Sequence, residues 1–311
     1  QDMVVTLSHT GYIKSQPLTD YRAQRRGGRG KQAAAIKEDD FVDHLFVANT
    51  HDYILCFSNR GRVYWIKVYE VPQGSRNSRG KPIVNMFPLE EGEKINAILP
   101  VKEFAQDRFI FMATSQGTVK KTPLSEFSNP RKAGIIAVAL DEGDYLIGAE
   151  ITNGENDIVL VSDGGRAVWF DEEDVRPMGR PARGVRGMKL GKEQTVLSLL
   201  VAENDQQTVL VATENGFGKR TALADFRHSG RGTQGVMAIK ASDRNGKVVG
   251  AKLVTDEDEI MLITTGGVLI RTRVSEIREL GRATQGVTLI SLDDGEKLAG
   301  LEKIVETDDE E

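Results

Sequence analysis

The feature that most limits how this chain can fold is a pattern that recurs six times. Each copy opens with an apolar run, turns a polar corner and reaches a glycine: Val4 to Gly11, Ile54 to Gly61, Ile110 to Gly117, Ile158 to Gly165, Val209 to Gly216 and Ile260 to Gly267. A second glycine follows at Gly30, Gly80, Gly134, Gly184, Gly235 and Gly286, an offset of 19 residues in five copies and 17 in the third. Ten residues after each first glycine stands an apolar or aromatic residue: Tyr21, Val71, Phe127, Val175, Phe226 and Ile277. Three positions held in step through six copies define a repeated structural unit.

The runs inside each unit are short and β-branched, and helix-period stretches are scarce. The corners His9-Thr10-Gly11, Asn59-Arg60-Gly61 and Gln116-Gly117 read as hairpin turns. Four short strands in a unit of roughly fifty residues is the size of a propeller blade, and stacked blades bury a core that one blade alone could not. The expectation is therefore an all-β, six-bladed, propeller-like domain with four-stranded blades over residues 1–301. Its repeats start near residues 4, 53, 109, 157, 208 and 259. Whether the blades close into a flat disc or climb as a spiral is left open. The acidic end 302–311 reads as a disordered tail that competes with a polyanion for basic surface.

A single cysteine, Cys56, lies inside an apolar run, which excludes intrachain disulfides and thiolate metal cages and fits a reducing compartment. No stretch has the apolar length of a membrane span. The net charge of −5 would argue against a nucleic-acid ligand, but it averages over a division. The windows from each first glycine through the next twenty residues hold 27 Lys/Arg and 10 Asp/Glu, whereas the remainder holds 14 and 36. Equivalent windows in successive blades should line one rim. A curved cationic rim suits a long polyanion wrapped around it, and duplex DNA carries a charge every ~1.7 Å of its axis.

Within the first window stands Gln24-Arg25-Arg26-Gly27-Gly28-Arg29-Gly30-Lys31. Its glycines read as a tight exposed loop rather than a helix, free to bring main chain and guanidinium groups against phosphates. Gln24 to Gly30 resembles the gyrase-A box, with Arg29 where that motif has lysine. Together with the six repeats, this makes the whole chain similar to the C-terminal domain family of DNA gyrase A subunits. The resemblance implies a β-pinwheel in which neighbouring blades exchange a strand. It also implies positive wrapping of DNA, which lets a holoenzyme introduce negative supercoils with ATP.

The implied partners are double-stranded DNA, the N-terminal part of gyrase A, and gyrase B in a two-plus-two assembly in the bacterial cytoplasm and nucleoid. ATP and Mg²⁺ would be used elsewhere in that assembly, as would the DNA-cleaving tyrosine, so no cofactor is expected here. On this reading Arg25, Arg26, Arg29 and Lys31 contact phosphates, Gly27, Gly28 and Gly30 permit close approach, and Gln24 holds the loop. Equivalent loops add Arg76, Arg79 and Lys81, Arg131 and Lys132, Arg180 and Arg183, Arg227 and Arg231, and Arg282. Cations nearer the turns, Lys120, Lys121, Lys219, Arg220, Arg271 and Arg273 among them, extend the track.

No catalytic constellation emerges. His9, His44, His51 and His228 lack metal-ligand spacing, and Asp256 to Glu259 reads as an acidic hairpin. The rival readings are the equivalent domain of topoisomerase IV, a propeller whose rim binds an acidic protein, and an enzymatic propeller with a site in its central channel. For the last, the sequence offers no convergent polar set.

Overall fold

Each unit begins with a hairpin whose strands alternate apolar side chains toward both neighbouring blades. The computed structural model describes residues 1–27, 39–204, 206–226, 228–240, 242–281 and 284–305. In blade one, Asp2–Ser8 pairs antiparallel with Tyr12–Pro17 on one side and with Val42–Asn49 on the other. The same arrangement recurs from Tyr53, Phe109, Asp157, Thr208 and Glu259 onward. The third strands, Val42–Asn49, Ile95–Val101, Leu146–Thr152, Val196–Ala202, Val248–Val254 and Leu298–Ile304, lie side by side around a central channel.

The outermost strand of each sheet comes from the next unit. Lys81–Pro82 pairs with Tyr12 and Ile13, and Ile135–Ile136 pairs with Arg62 and Val63. Val185–Arg186, Val236–Met237 and Val287–Thr288 repeat the exchange. Five sheets thus have four strands, and the sixth has three among the described residues. The second glycine of the unit makes this exchange possible. At Gly235, with φ +74°, a Cβ would stand 2.2 Å from the Ala167 carbonyl oxygen, so only glycine lets the incoming strand close on its neighbour.

The ring closes. Phe41, Met261 and Ile304 pack together across the junction of blades one and six, and the Val305 N–H reaches the Val42 carbonyl at 3.5 Å. Ile304 is buried, so the last strand runs through residue 304 and the boundary expected at 301 falls inside it. Residues 306–311 lie outside the described residues.

In five units the residue ten places past the first glycine follows or ends a 3₁₀ turn and is buried: Val71, Phe127, Val175, Phe226 and Ile277. Unit one departs from this. There the turn continues as an α-helix, Leu18–Gly27, packed on the first two strands. Arg22, Ala23, Gln24, Arg25 and Arg26 are good helix formers, Asp20 sits in the first turn, and no proline stops the run as Pro72 and Pro177 do elsewhere. The loop expected over Gln24 to Gly27 is therefore helix.

Candidate nucleic-acid interface

Because the exchanged strand is the outer edge of each blade, the segment leading into it crosses that edge. These segments span 72–80, 128–134, 176–184, 228–235 and 278–286, and their described residues cross the outer edge of the preceding blade. On this edge the structure places Arg79, Lys81, Arg131, Lys132, Arg183 and Arg231 exposed, with Arg76 and Arg180 partly so. The Arg79 guanidinium stacks over the Tyr12 ring at 4.2 Å, and Arg183 pairs with Asp141. Arg231 donates to the carbonyl oxygens of Asp174 and Arg186, at 3.2 and 2.9 Å. Exposed Arg273 and part-exposed Arg271 lie in the last hairpin beside Glu259.

Gln24, Arg25, Arg26 and Gly27 form the end of the helix, while Gly28, Arg29, Gly30 and Lys31 lie outside the described residues, as do Arg227 and Arg282. Exposed Arg176, Arg186 and Arg278 lie in or beside the same segments and escaped sequence reasoning. Arg186 is the clearest miss. It belongs to the exchanged strand, one place beyond the charge window, and only the pairing register puts it on the rim.

Four of the expected DNA contacts are corrected. Lys120, Lys121, Lys219 and Arg220 are between 0 and 5 % exposed. A propeller blade is covered on both faces by its neighbours, so a mid-strand cation finds no solvent on either side. These side chains turn instead onto main-chain carbonyl oxygens, most of them from the following unit. Lys120 Nζ donates to Ala137 O at 2.7 Å and to Arg180 O. Lys121 Nζ donates to Glu172 O at 3.0 Å and lies 3.7 Å from the buried Glu172 carboxylate. Lys219 Nζ reaches Gly281 O and Thr284 O, and Arg220 reaches Val274 O, Ile277 O and Asp256 Oδ1. Lys14 does the same with the carbonyls of Ser75, Arg76 and Ser78.

The second and fourth blades place their clamp two residues earlier. Arg62 donates to Ala133 O at 3.3 Å, and Arg166 to Gln234 O and Gly235 O at 3.1 and 2.9 Å. At the corresponding positions of blade six stand Val268 and Ile270, both exposed. All five forward junctions from blades one to five thus carry a cation on the loop of the next blade. The sixth carries apolar side chains.

The expectation that the channel lacks a convergent polar set is also corrected. A cavity of about 470 Å³ is lined by His9, Asp43, His44, Glu150, Lys252 and Glu302 among others. Asp43 accepts from His44 at 2.8 Å and His9 at 3.3 Å. Burial pushes its carboxyl up, but the bonds from both imidazoles outweigh that and hold it below its ordinary value. Lys252 pairs with Glu302 at 2.9 Å. These groups largely satisfy one another. The acidic hairpin is similarly spoken for, through Arg220–Asp256, Lys303–Asp258 and Arg271–Glu259.

A strand-exchanged six-bladed ring with basic segments crossing its outer edge is the class of protein defined here. The family model described as "DNA gyrase C-terminal domain, beta-propeller" matches residues 2–49, 52–102, 108–153, 156–203, 207–255 and 258–304. The chain belongs to that family. The DNA gyrase A protein of Salmonella typhimurium (strain LT2) is 57% identical over 312 residues, and that of Escherichia coli (strain K12) 55% over 311. Each alignment covers 100% of this chain and 35% of the relative, so the chain spans about a third of the length of the curated relatives it matches.

Among solved structures, a DNA gyrase A C-terminal domain superposes with TM-score 0.71 at 28% identity, covering 98% of this chain and 100% of that one. The C-terminal domain of a DNA topoisomerase IV superposes with TM-score 0.87, also at 28% identity, covering 97% and 93%. Shape is therefore shared by both enzymes' domains, while these two relatives above 50% identity are gyrase A proteins. Among the described residues no helix is long and apolar enough to cross a membrane.

Proposed function

We propose that this domain binds double-stranded DNA along its outer edge and bends it around the ring. The single observation that carries the reading is the recurrence of exposed cations on equivalent segments that all cross the same edge. Lysine and arginine in such an array neutralise successive phosphates and release counterions without reading bases. Arg25 and Arg26, in the helix ending at Gly27, and the box residues that follow them in the sequence would clamp the last part of the wrapped duplex.

Within a whole gyrase, the domain would act with the N-terminal part of gyrase A and with gyrase B. Its bent DNA segment, of positive writhe, would be presented for strand passage, so that ATP hydrolysis elsewhere yields negative supercoils. The domain itself would contribute no catalytic group, and its setting would be the bacterial cytoplasm. Two measurements test this. Affinity for random-sequence duplex should fall by roughly 10³ or more between 50 and 200 mM salt. Replacing Arg25, Arg26 and Arg29 by alanine should leave the fold intact while the reconstituted enzyme loses negative supercoiling. Flat salt dependence, or full supercoiling by that variant, would overturn the proposal.

A further inference from the structure

We propose that blade four carries a divalent-cation site formed by Asp157, Asp171 and His228. Asp157 and Asp171 stand directly opposite one another across the hairpin. Like charges in that position oppose strand pairing. At the same cross-strand position the other blades hold Met3 and Pro17, Tyr53 and Lys67, Phe109 and Pro123, Thr208 and Ala222, and Glu259 and Arg273. Two of these are complementary pairs, since the Lys67 ammonium lies 3.8 Å over the Tyr53 ring and Arg273 lies 3.9 Å from Glu259. Blade four alone of the six sets carboxylate against carboxylate.

The third group arrives from the next blade, where the segment after Phe226 carries His228 over the hairpin. Its Nε2 is 3.9 Å from Asp157 Oδ1, and one ligand atom from each of the three residues lies within 4.8 Å of the others. An independent feature points the same way. Trp169 is 8 % exposed, yet its buried Nε1–H makes no hydrogen bond. The indole meets the His228 ring edge-on at 4.3 Å and shares a cavity of about 220 Å³ with Asp157. Donors of this kind orient ligating carboxylates from behind.

Two carboxylate oxygens and one imidazole nitrogen suit a first-row divalent ion such as Mn²⁺, Co²⁺ or Zn²⁺ better than Mg²⁺, which prefers oxygen and keeps its waters. A bound ion would offset both aspartates beside the Arg231 segment. On the DNA-binding reading, it would therefore raise the charge of the one blade whose window is neutral.

The test uses the metals alone, with no DNA, so its outcome is independent of that reading. Mn²⁺ and Zn²⁺ titrated into the 311-residue chain should each bind one ion per chain, more tightly than Mg²⁺. Asp157→Asn with Asp171→Asn removes the repulsion and should fold at least as well as the parent while abolishing binding. His228→Gln should weaken binding of Zn²⁺ more than of Mg²⁺. Trp169→Phe, which keeps the aromatic packing, should weaken both transition ions by ~10–100-fold. No stoichiometric Mn²⁺ or Zn²⁺ binding below millimolar concentration, or binding that survives the double asparagine variant, would overturn the proposal.

Discussion

Lys219 of blade five donates from Nζ to the main-chain carbonyl of Gly281 in blade six, 2.7 Å away. The bond joins a buried ammonium on one blade to the loop that crosses its outer edge from the next. Lys14 and Lys120 repeat it at the first and third junctions, and Arg62 and Arg166 supply it at the second and fourth. A cation read as surface charge is thus part of the device that holds the basic loops in place.

Replacing Lys219 with methionine should keep the packing and remove its charge-assisted bonds to the carbonyls of Gly281 and Thr284, which keep donors in Thr284 and the Lys240 N–H. A hydrogen bond from a charged group contributes ~1.5–3 kcal/mol. Urea unfolding should show a loss in that range. The salt dependence of DNA binding should be unchanged, because a buried ammonium releases no counterion. A slope reduced by ~0.9 would mean that Lys219 reaches a phosphate after all.

Arg131 and Lys132 stand exposed on the segment between blades two and three. Converting both to alanine should leave the unfolding midpoint unchanged and reduce the salt slope by ~0.9 for each phosphate no longer neutralised. An unchanged slope would remove this segment from the DNA path.

Gly235 and Gly230 separate backbone preference from steric exclusion. Both have positive φ, but a Cβ at Gly235 would meet the Ala167 carbonyl at 2.2 Å while one at Gly230 meets nothing within 4 Å. Gly230→Ala should therefore cost only the ~1–2 kcal/mol of a left-handed alanine. Gly235→Ala should cost clearly more, since the exchanged strand must move. Equal losses in denaturant unfolding would contradict the strand-exchange role.

Burial pushes the Lys120 amine down to about 8 from its ordinary 10.5. Between about pH 8 and 10.5 the unfolded chain then holds the extra proton, so stability gains as pH rises through that window. Lys120→Met should lose this gain. The observable is the difference in melting temperature between parent and variant, followed across that same pH window.

The junction of blades six and one has Val268 and Ile270 where the others have a cationic clamp. Amide exchange should be faster in Leu269–Arg273 than in the equivalent strand Phe217–Ala222 of blade five. Protection that is equal in both would show that the clamp contributes little to holding a blade edge.

Sequence alone determined the period, the number of blades and the gathering of the charged segments on one rim. A β unit repeated with fixed glycine offsets stacks on copies of itself, and equivalent positions must then lie on one edge. The strand exchange was legible through a family likeness carried by Gln24 to Gly30 and the six repeats. Tertiary structure decided the rest. Lys120 and Lys219 look like any exposed strand lysine until a neighbouring blade covers each face of the sheet. The helix over Gln24 to Gly27 replaced an expected loop because helix-forming residues outweighed a glycine still further along. Asp157, Asp171 and His228 are scattered in the chain and meet only where one blade's loop crosses another's hairpin. Local pattern sets local shape, whereas the company a charged side chain keeps depends on which distant segments packing brings against it.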